Sequence, residues 1–283
     1  MQYGFVIPGG DIHSIAELAQ EAEEAGWDGV FIPDCILIEA HADPAFIGFD
    51  PWVVLAAMAM RTERVKLGTM LTAISRRRPW KLARETTTLD QLSNGRVILS
   101  VGLGALDDAG FGKVGEATDR KTRAELMDEG LDILAGLWSG KPFSYDGKHY
   151  KIEEMTFVPT PVQHPRIPVW VVGAWPVERS MRRVLKWDGL LPTKRQENGQ
   201  FGGVTPEDIR VMKQYIEETR SDATPFDIIW EGETPGDNAD QAAALVGPFA
   251  EAGATWWLES MWNSPDGLRS VRQRIEQGPP KVT

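Results

Sequence analysis

Arg76-Arg77-Arg78 stand immediately before Pro79, and Gly102-Leu103-Gly104 closes an apolar run further along the chain. Guanidinium groups grip phosphate or carboxylate through paired hydrogen bonds. Adjacent arginines cannot all point the same way, so the triplet is either a solvated loop or sends at most one or two side chains to a ligand, with Arg78, next to the helix-opening proline, the best placed. Gly102 and Gly104 allow either the close approach of a flat ligand or a simple bend. In Gly173-Ala174-Trp175-Pro176, small residues would let backbone N–H groups meet an anion at a helix start, although a tight turn explains them equally. Asp34 ends another apolar run, where a carboxylate could act as acid, base or hydrogen-bond partner of a ring. Cys35 follows it, as a nucleophile or as an inert thiol.

A catalytic metal is not expected. His13 falls on a helix, His149 and His164 fall in an irregular excursion, and only His41 falls in a loop beside the site. Metal sites gather several histidines and carboxylates. Trp52, Trp80, Trp175 and Trp262 all fall at helix starts or strand ends, where they would either line a slot for a planar ring or plug the mouth of the fold.

The elements that must position these residues repeat one unit, an apolar strand followed by an amphipathic helix. Strands are predicted at 3–7, 29–33, 65–71, 97–101, 169–172, 189–191, 226–230 and 255–258. They are continuous apolar runs, as in a parallel sheet covered by helices. Asp11, Asp50-Pro51 and Thr205-Pro206 mark helix starts, and further helices are expected over 119–138, 176–185, 238–252 and 265–277. The alternation predicts an α/β fold, a (β/α)8 TIM-type barrel, as one domain over 1–283. A doubly wound sheet is the runner-up, but Pro8-Gly9-Gly10-Asp11 lacks the dinucleotide-binding glycine pattern. Insertions follow the second strand (35–49) and the fourth (105–118), and a third precedes the fifth (142–168). In that third insertion Asp146-Gly147 predicts a type I′ hairpin turn.

The net charge of −11 argues against a general nucleic-acid surface. No run of about 18 apolar residues suggests a membrane span. The first residues carry no basic segment of the kind that opens a signal peptide, and Cys35 is the only cysteine, so a reducing cytoplasm is expected.

Three stretches carry a family resemblance. The run 64–104 contains Thr-Leu-Asp-Gln-Leu-Ser-Asn-Gly-Arg. Tyr-Asp-Gly-Lys-His-Tyr at 145–150 leads to Ile-Pro-Val-Trp-Val-Val-Gly at 167–173, and Asp50-Pro51-Trp52 opens a helix. Together they resemble the bacterial luciferase-like flavin monooxygenases. The resemblance implies a barrel whose mouth binds reduced flavin mononucleotide (FMN) or the related deazaflavin coenzyme. Thr69, Met70 and Leu71 would pack against the ring, at a place where the family often has a non-proline cis peptide. Gly102 would border the ring, and Gly173, Ala174 and Trp175 would meet the phosphate. Two departures stand out. Cys35 replaces a histidine found in many relatives, and Leu103 replaces a phosphate-binding arginine found in some. Arg78, Lys194 or Arg195 would then meet the phosphate charge.

The expected activity is that of a monooxygenase acting with O2 on a small organic substrate, supplied with reduced FMN by a separate flavin reductase. A homodimer or larger homo-oligomer is expected by the same resemblance. The alternatives are a deazaflavin-dependent dehydrogenase or reductase and a non-catalytic flavin-binding protein, followed by a sugar-phosphate lyase or isomerase. The acidic chain weighs against the polyglutamate tail of the deazaflavin coenzyme.

Overall fold

Helix starts follow their capping residues. In the computed structural model, which describes residues 1–36, 49–105, 108–264 and 266–281, Asp11 accepts from the N–H groups of His13 and Ser14 and opens α1 (Ile12–Glu24). Asp50 does the same for α2 (Pro51–Ala59), with Pro51 in the first turn. Pro79 opens α3 (Pro79–Leu92). That helix exits through Asn94 (φ 54°) and Gly95 (φ 79°), a left-handed pair that glycine and asparagine tolerate. Asp119 caps α4 (Arg120–Trp138), and α5 (Glu178–Val184) follows. Thr205 and Asp208 form a reciprocal capping box at the start of α6 (Pro206–Thr219). Finally come α7 (Ala239–Ala252) and α8 (Leu268–Glu276).

The strands are β1 (Gln2–Val6), β2 (Gly29–Ile32), β3 (Lys66–Thr69), β4 (Thr72–Ala73), β5 (Val97–Gly102), β6 (Pro142–Asp146), β7 (Lys151–Thr156), β8 (Val169–Trp175), β9 (Gly189–Arg195), β10 (Phe201–Gly202), β11 (Asp227–Gly232) and β12 (Trp256–Ser260). Eight of them close a parallel ring in the order β1-β2-β3-β5-β8-β9-β11-β12, and β12 returns to β1. The predicted (β/α)8 barrel is therefore the observed fold. Short β4 lies along the end of β5, and β10 pairs antiparallel with β9.

An aromatic plug fills the barrel floor. Phe31 stacks on Trp170 at 5.5 Å, and Trp170 meets Trp256 edge-on at 5.2 Å between ring centroids. Such pairs add about 0.5–1.5 kcal/mol each beyond their burial. Val6, Ile98, Leu191, Ile229 and Leu258 complete this inner core, and Met70, Leu71, Val172 and Trp262 pack on it. Gly68 makes the room, because a Cβ there would lie 2.3 Å from the Ile98 carbonyl oxygen and 3.1 Å from the Phe31 ring. A separate outer core joins the sheet to the helices.

The insertion before the fifth barrel strand is the antiparallel hairpin of β6 and β7. The two-residue type I′ turn predicted at Asp146-Gly147 is not what forms. Four residues, 147–150, connect the strands, with Gly147 N–H donating to the Tyr150 carbonyl at 2.9 Å. The Glu129 carboxylate on α4 accepts from the N–H groups of Lys148, His149 and Tyr150, and this side-chain anchor replaces the tight turn. The following strap is pinned by Asp90, fully buried on α3. Its carboxylate accepts from Val162 N–H (2.7 Å), Gln163 N–H (3.0 Å) and the Gln163 side-chain amide (2.7 Å).

Alanine at position 90 would leave these donors buried and unmet, so Asp90→Ala should cost about 2–4 kcal/mol. Urea unfolding measures this, and a loss below about 1 kcal/mol would show that water replaces the carboxylate.

Candidate active site

Parallel closure puts every strand's C-terminal end on one rim, and a cavity of about 560 Å³ opens there. Strand alternation decides which residues reach it. On β8, Val172 and Ala174 line the cavity. Gly173 does not: a Cβ there would meet Leu190, Val184 and Met181, so it faces outward under α5. Trp175 also lies outside the lining, packed against Tyr215 at 5.4 Å. The expected glycine turn at 173–175 is instead the end of β8, and α5 begins three residues further on. Of the three residues expected to meet a phosphate there, only Ala174 reaches the cavity.

Met70 and Leu71 line the cavity and are joined by a cis peptide, at the position the resemblance implied. Thr69 is fully buried outside the lining, with its hydroxyl 2.9 Å from that of Thr72. Gly102 and Gly104 both line the cavity. A side chain at 102 would lie 2.9 Å from Leu71 and 3.0 Å from Val172, so the glycine keeps the slot open between them. Gly104 has φ 82°, and a Cβ there would press on Phe111.

The arginine triplet divides differently from expectation. Arg78 precedes α3 as its capping residue, 6.0 Å over the Trp80 ring, and does not line the cavity. Arg76 and Arg77 turn inward to Asp34. Arg77 donates Nε–H and a terminal N–H to the two carboxylate oxygens at 3.0 and 2.8 Å. Arg76 donates to the Asp34 carbonyl at 2.6 Å and to its carboxylate at 3.2 Å, and also pairs with Asp108. The side chains of Arg76, Asp34 and Asp108 are each under 5% exposed. Phe111 lies between Arg76 and Arg123, which fastens the loop after β5 to the network.

Asp34 and Cys35 both line the cavity. Burial, and then the negative charge of Asp108, push the Cys35 thiol above its ordinary value. A protonated thiol is a weak nucleophile. Of the four tryptophans, only Trp262 borders the cavity. Trp52 is buried in the first turn of α2, and Trp80 packs edge-on against Tyr150. His41, placed beside the site from the sequence, lies outside the described residues.

Trp262 is held from below. Its indole N–H donates to the Glu231 carboxyl at 2.7 Å. On β11, Glu231 lies in register with Leu258 of the inner core and two residues beyond Ile229, so it points into the barrel. Burial pushes its carboxyl above the ordinary value of 4.5, against the hydrogen bond from Trp262. The barrel favours the protonated form, so the stabilising contribution is complete below about pH 4.5 and is lost as pH rises through the raised value. Glu231→Gln keeps an acceptor and removes the titration. The stability difference, variant minus parent, should grow with pH above 4.5 and then level off, as followed by urea unfolding between pH 4 and 8. A difference that does not change with pH would sink this assignment.

A second depression, about 360 Å³, shares Leu103, Arg120, Ala174, Ser180, Arg183 and Phe201 with the first and so continues it outward. Arg179, Lys121 and Arg195 join Arg120 around it. These four have no ion-pair partner among the described residues, whereas Arg183 is held by Asp128 and Lys194 by Asp208 at 2.7 Å. The Ser180 hydroxyl accepts from Ala174 N–H at 2.9 Å, which leaves its own O–H available to a ligand. Sequence reasoning identified Arg195 but missed Arg120, Lys121 and Arg179. The pair of cations directly behind the helix-capping Asp119 was the available signal.

The family model for luciferase-like monooxygenases matches residues 2–245. The chain belongs to that family. Its barrel is thus the fold of the luciferase-like oxidoreductases. An F420-dependent glucose-6-phosphate dehydrogenase of Microbacterium testaceum is 33% identical over 157 residues, covering 55% of this chain and 45% of the relative. The chain spans about half the length of the curated relatives it matches. Among solved structures, an F420-dependent secondary alcohol dehydrogenase with an F420-acetone adduct aligns with TM-score 0.78 at 18% identity, covering 99% of this chain and 98% of the other. The oxygenating constituent of 3,6-diketocamphane monooxygenase from Pseudomonas putida, in complex with FMN, aligns with TM-score 0.70 at 16% identity, covering 100% and 99%. No helix among the described residues is long and apolar enough to cross a membrane.

Proposed function

We propose that the chain is a dehydrogenase or reductase dependent on the deazaflavin coenzyme F420, rather than an FMN monooxygenase. One observation carries this reading: the apolar slot between Leu71, Gly102 and Val172 runs directly into a groove with four cations that have no ion-pair partner among the described residues. A flat ring with a long, multiply anionic tail fits that sequence of surfaces. A single phosphate would need fewer charges. The net charge of −11 does not count against the tail, because the field along the groove is set by Arg120, Lys121, Arg179 and Arg195. The curated relatives support the same choice.

When bound, such a coenzyme accepts or donates a hydride at its ring. The chain's own contribution is binding and exclusion of water. Met70, Leu71, Gly102 and Val172 would wall the ring, Ser180 and Arg120 would meet its first anionic group, and the remaining cations would follow the tail. Asp34, with both carboxylate oxygens taken by guanidinium donors, holds the loops in place instead of moving a proton. Cys35, as a neutral thiol, supplies wall and not nucleophile.

The test is an anaerobic equilibrium titration with oxidised and reduced forms of both coenzymes, read by fluorescence. F420 should bind at least about tenfold more tightly than FMN, with an affinity that falls steeply with salt. Tighter FMN binding together with a long-lived oxygen adduct would restore the monooxygenase.

A further inference from the structure

The cavity and the cationic groove meet at a neck. Leu103, Arg120, Ala174, Ser180, Arg183 and Phe201 border both, and of these six only Arg120 and Phe201 are exposed. The other four form the floor of the neck, and the two exposed side chains form its rim. They come from different elements, Arg120 from the first turn of α4 and Phe201 from β10. The guanidinium lies 4.8 Å from the centroid of the Phe201 ring, so the rim closes into a bridge above the floor. Neither partner is favourably placed by itself. Phe201 leaves 44% of its surface to water, and a cation in the first turn of a helix faces the positive end of the helix dipole. Their contact offsets part of both costs. At an exposed site such a contact favours the closed bridge by about two- to fivefold, enough to hold it and too little to lock it.

The hairpin that carries Phe201 is anchored at both ends and exposed between them. Lys194 is held by Asp208 at 2.7 Å and Val204 is buried, but every residue from 195 to 201 is exposed. Strand β10 lies at the sheet edge and pairs with β9 through two residue pairs, Phe201 with Arg195 and Gly202 with Lys194. Gly203 follows. A Cβ there would meet nothing within 4 Å, so packing does not require the glycine, and its backbone freedom suits a pivot.

We propose that Arg120 and Phe201 form a latch over the neck, which parts to admit a ligand whose chain runs from the slot into the groove and re-forms over that chain. This rests on the coenzyme reading above and adds a moving part to it. The walls of the slot and the cations of the groove would hold such a ligand with or without a bridge. The bridge governs how fast it enters and leaves. A flat ring is wider than the chain behind it, so the ligand cannot be drawn lengthwise beneath a closed bridge, and each entry or exit waits for the contact to open. Binding that waits on such a step is slower than binding to an open site.

Stopped-flow fluorescence with the full chain and F420 measures both rates. Removing the ring leaves the neck open, so Phe201→Ala should raise the association rate about three- to sixfold, and the dissociation rate at least as much. Phe201→Tyr keeps an aromatic face for Arg120 and should stay within about twofold of the parent in both rates. Because Phe201 is exposed, both variants should fold as the parent does, which thermal unfolding checks. If F420 does not bind the parent, the coenzyme reading falls and the latch falls with it. If F420 binds and Phe201→Ala speeds dissociation alone, Phe201 is a contact and not a gate. Unchanged rates would show that the bridge has no part in binding, and a tyrosine variant as fast as the alanine one would show that the ring does not close the neck. Each of these last three results overturns the latch and leaves the coenzyme reading standing.

Discussion

Asp34→Ala should destabilise the fold by about 3–5 kcal/mol, the cost of breaking a buried ion pair by removing one partner. The substitution removes the carboxylate that two guanidinium groups share, leaving Arg77 only the longer contacts to Asp50 and Glu85 at 4.0 and 3.9 Å. Arg77 loses both carboxylate bonds, and Arg76 keeps only Asp108 and the position-34 carbonyl. The Arg76 side chain is 4% exposed, so water has little access to replace the lost acceptor. For a chain of this length the loss corresponds to a fall in Tm of about 10 °C. Asp34→Asn retains the shape but not the charge and should fall between parent and alanine. Thermal unfolding of the three proteins decides the matter, and a fall of under about 2 °C for alanine would show that the network contributes little. Because Arg76 also reaches Asp108 and Phe111, the variant should loosen the loop after β5, seen as faster amide exchange over 108–118.

That network also shows what the sequence discloses and what it withholds. Three of its residues, Asp34, Arg76 and Arg77, stand out as chemistry-bearing types, but their pairing does not. Charge complementarity across forty residues depends on closure of the barrel, and no local pattern encodes it. Reading each arginine for a ligand therefore favoured Arg78, the one that faces Trp80 instead of the cavity. Periodicity and caps were legible because they are local: Asp11, Asp50, Pro79 and Thr205 each open a helix where expected. The ends of strands were less so. Whether β8 stops at Val172 or continues to Trp175 depends on its pairing with Thr193 and Lys194 of β9, and that register decides that Gly173 faces outward. Glu231 shows the same limit. A carboxylate at a strand end reads as solvent-facing until Trp262, thirty-one residues later, is seen donating to it.

The paired variant Arg120→Ala, Arg195→Ala should weaken F420 binding by about 50–100-fold while leaving stability nearly unchanged. Both side chains are exposed and lack ion-pair partners among the described residues, so their removal disturbs no packing beyond the Arg120–Phe201 contact at 4.8 Å. Exposed substitutions of this kind usually stay within about 0.5 kcal/mol. The affinity loss has a separate origin, two charge-assisted contacts to the anionic tail. If the groove tracks the tail, the dependence of affinity on salt should flatten in the variant, because fewer charges remain to be screened. Lys194→Ala is the control: its ammonium is already held by Asp208, so its loss should alter affinity less than about threefold. Fluorescence titration of parent, paired variant and control at two salt concentrations separates the possibilities. Equal affinity in all three would show that the groove does not carry the tail, whatever the slot between Leu71 and Val172 binds. A selective loss in the paired variant, with the flattened salt response, would identify these two cations as the reason an acidic chain can hold an acidic coenzyme.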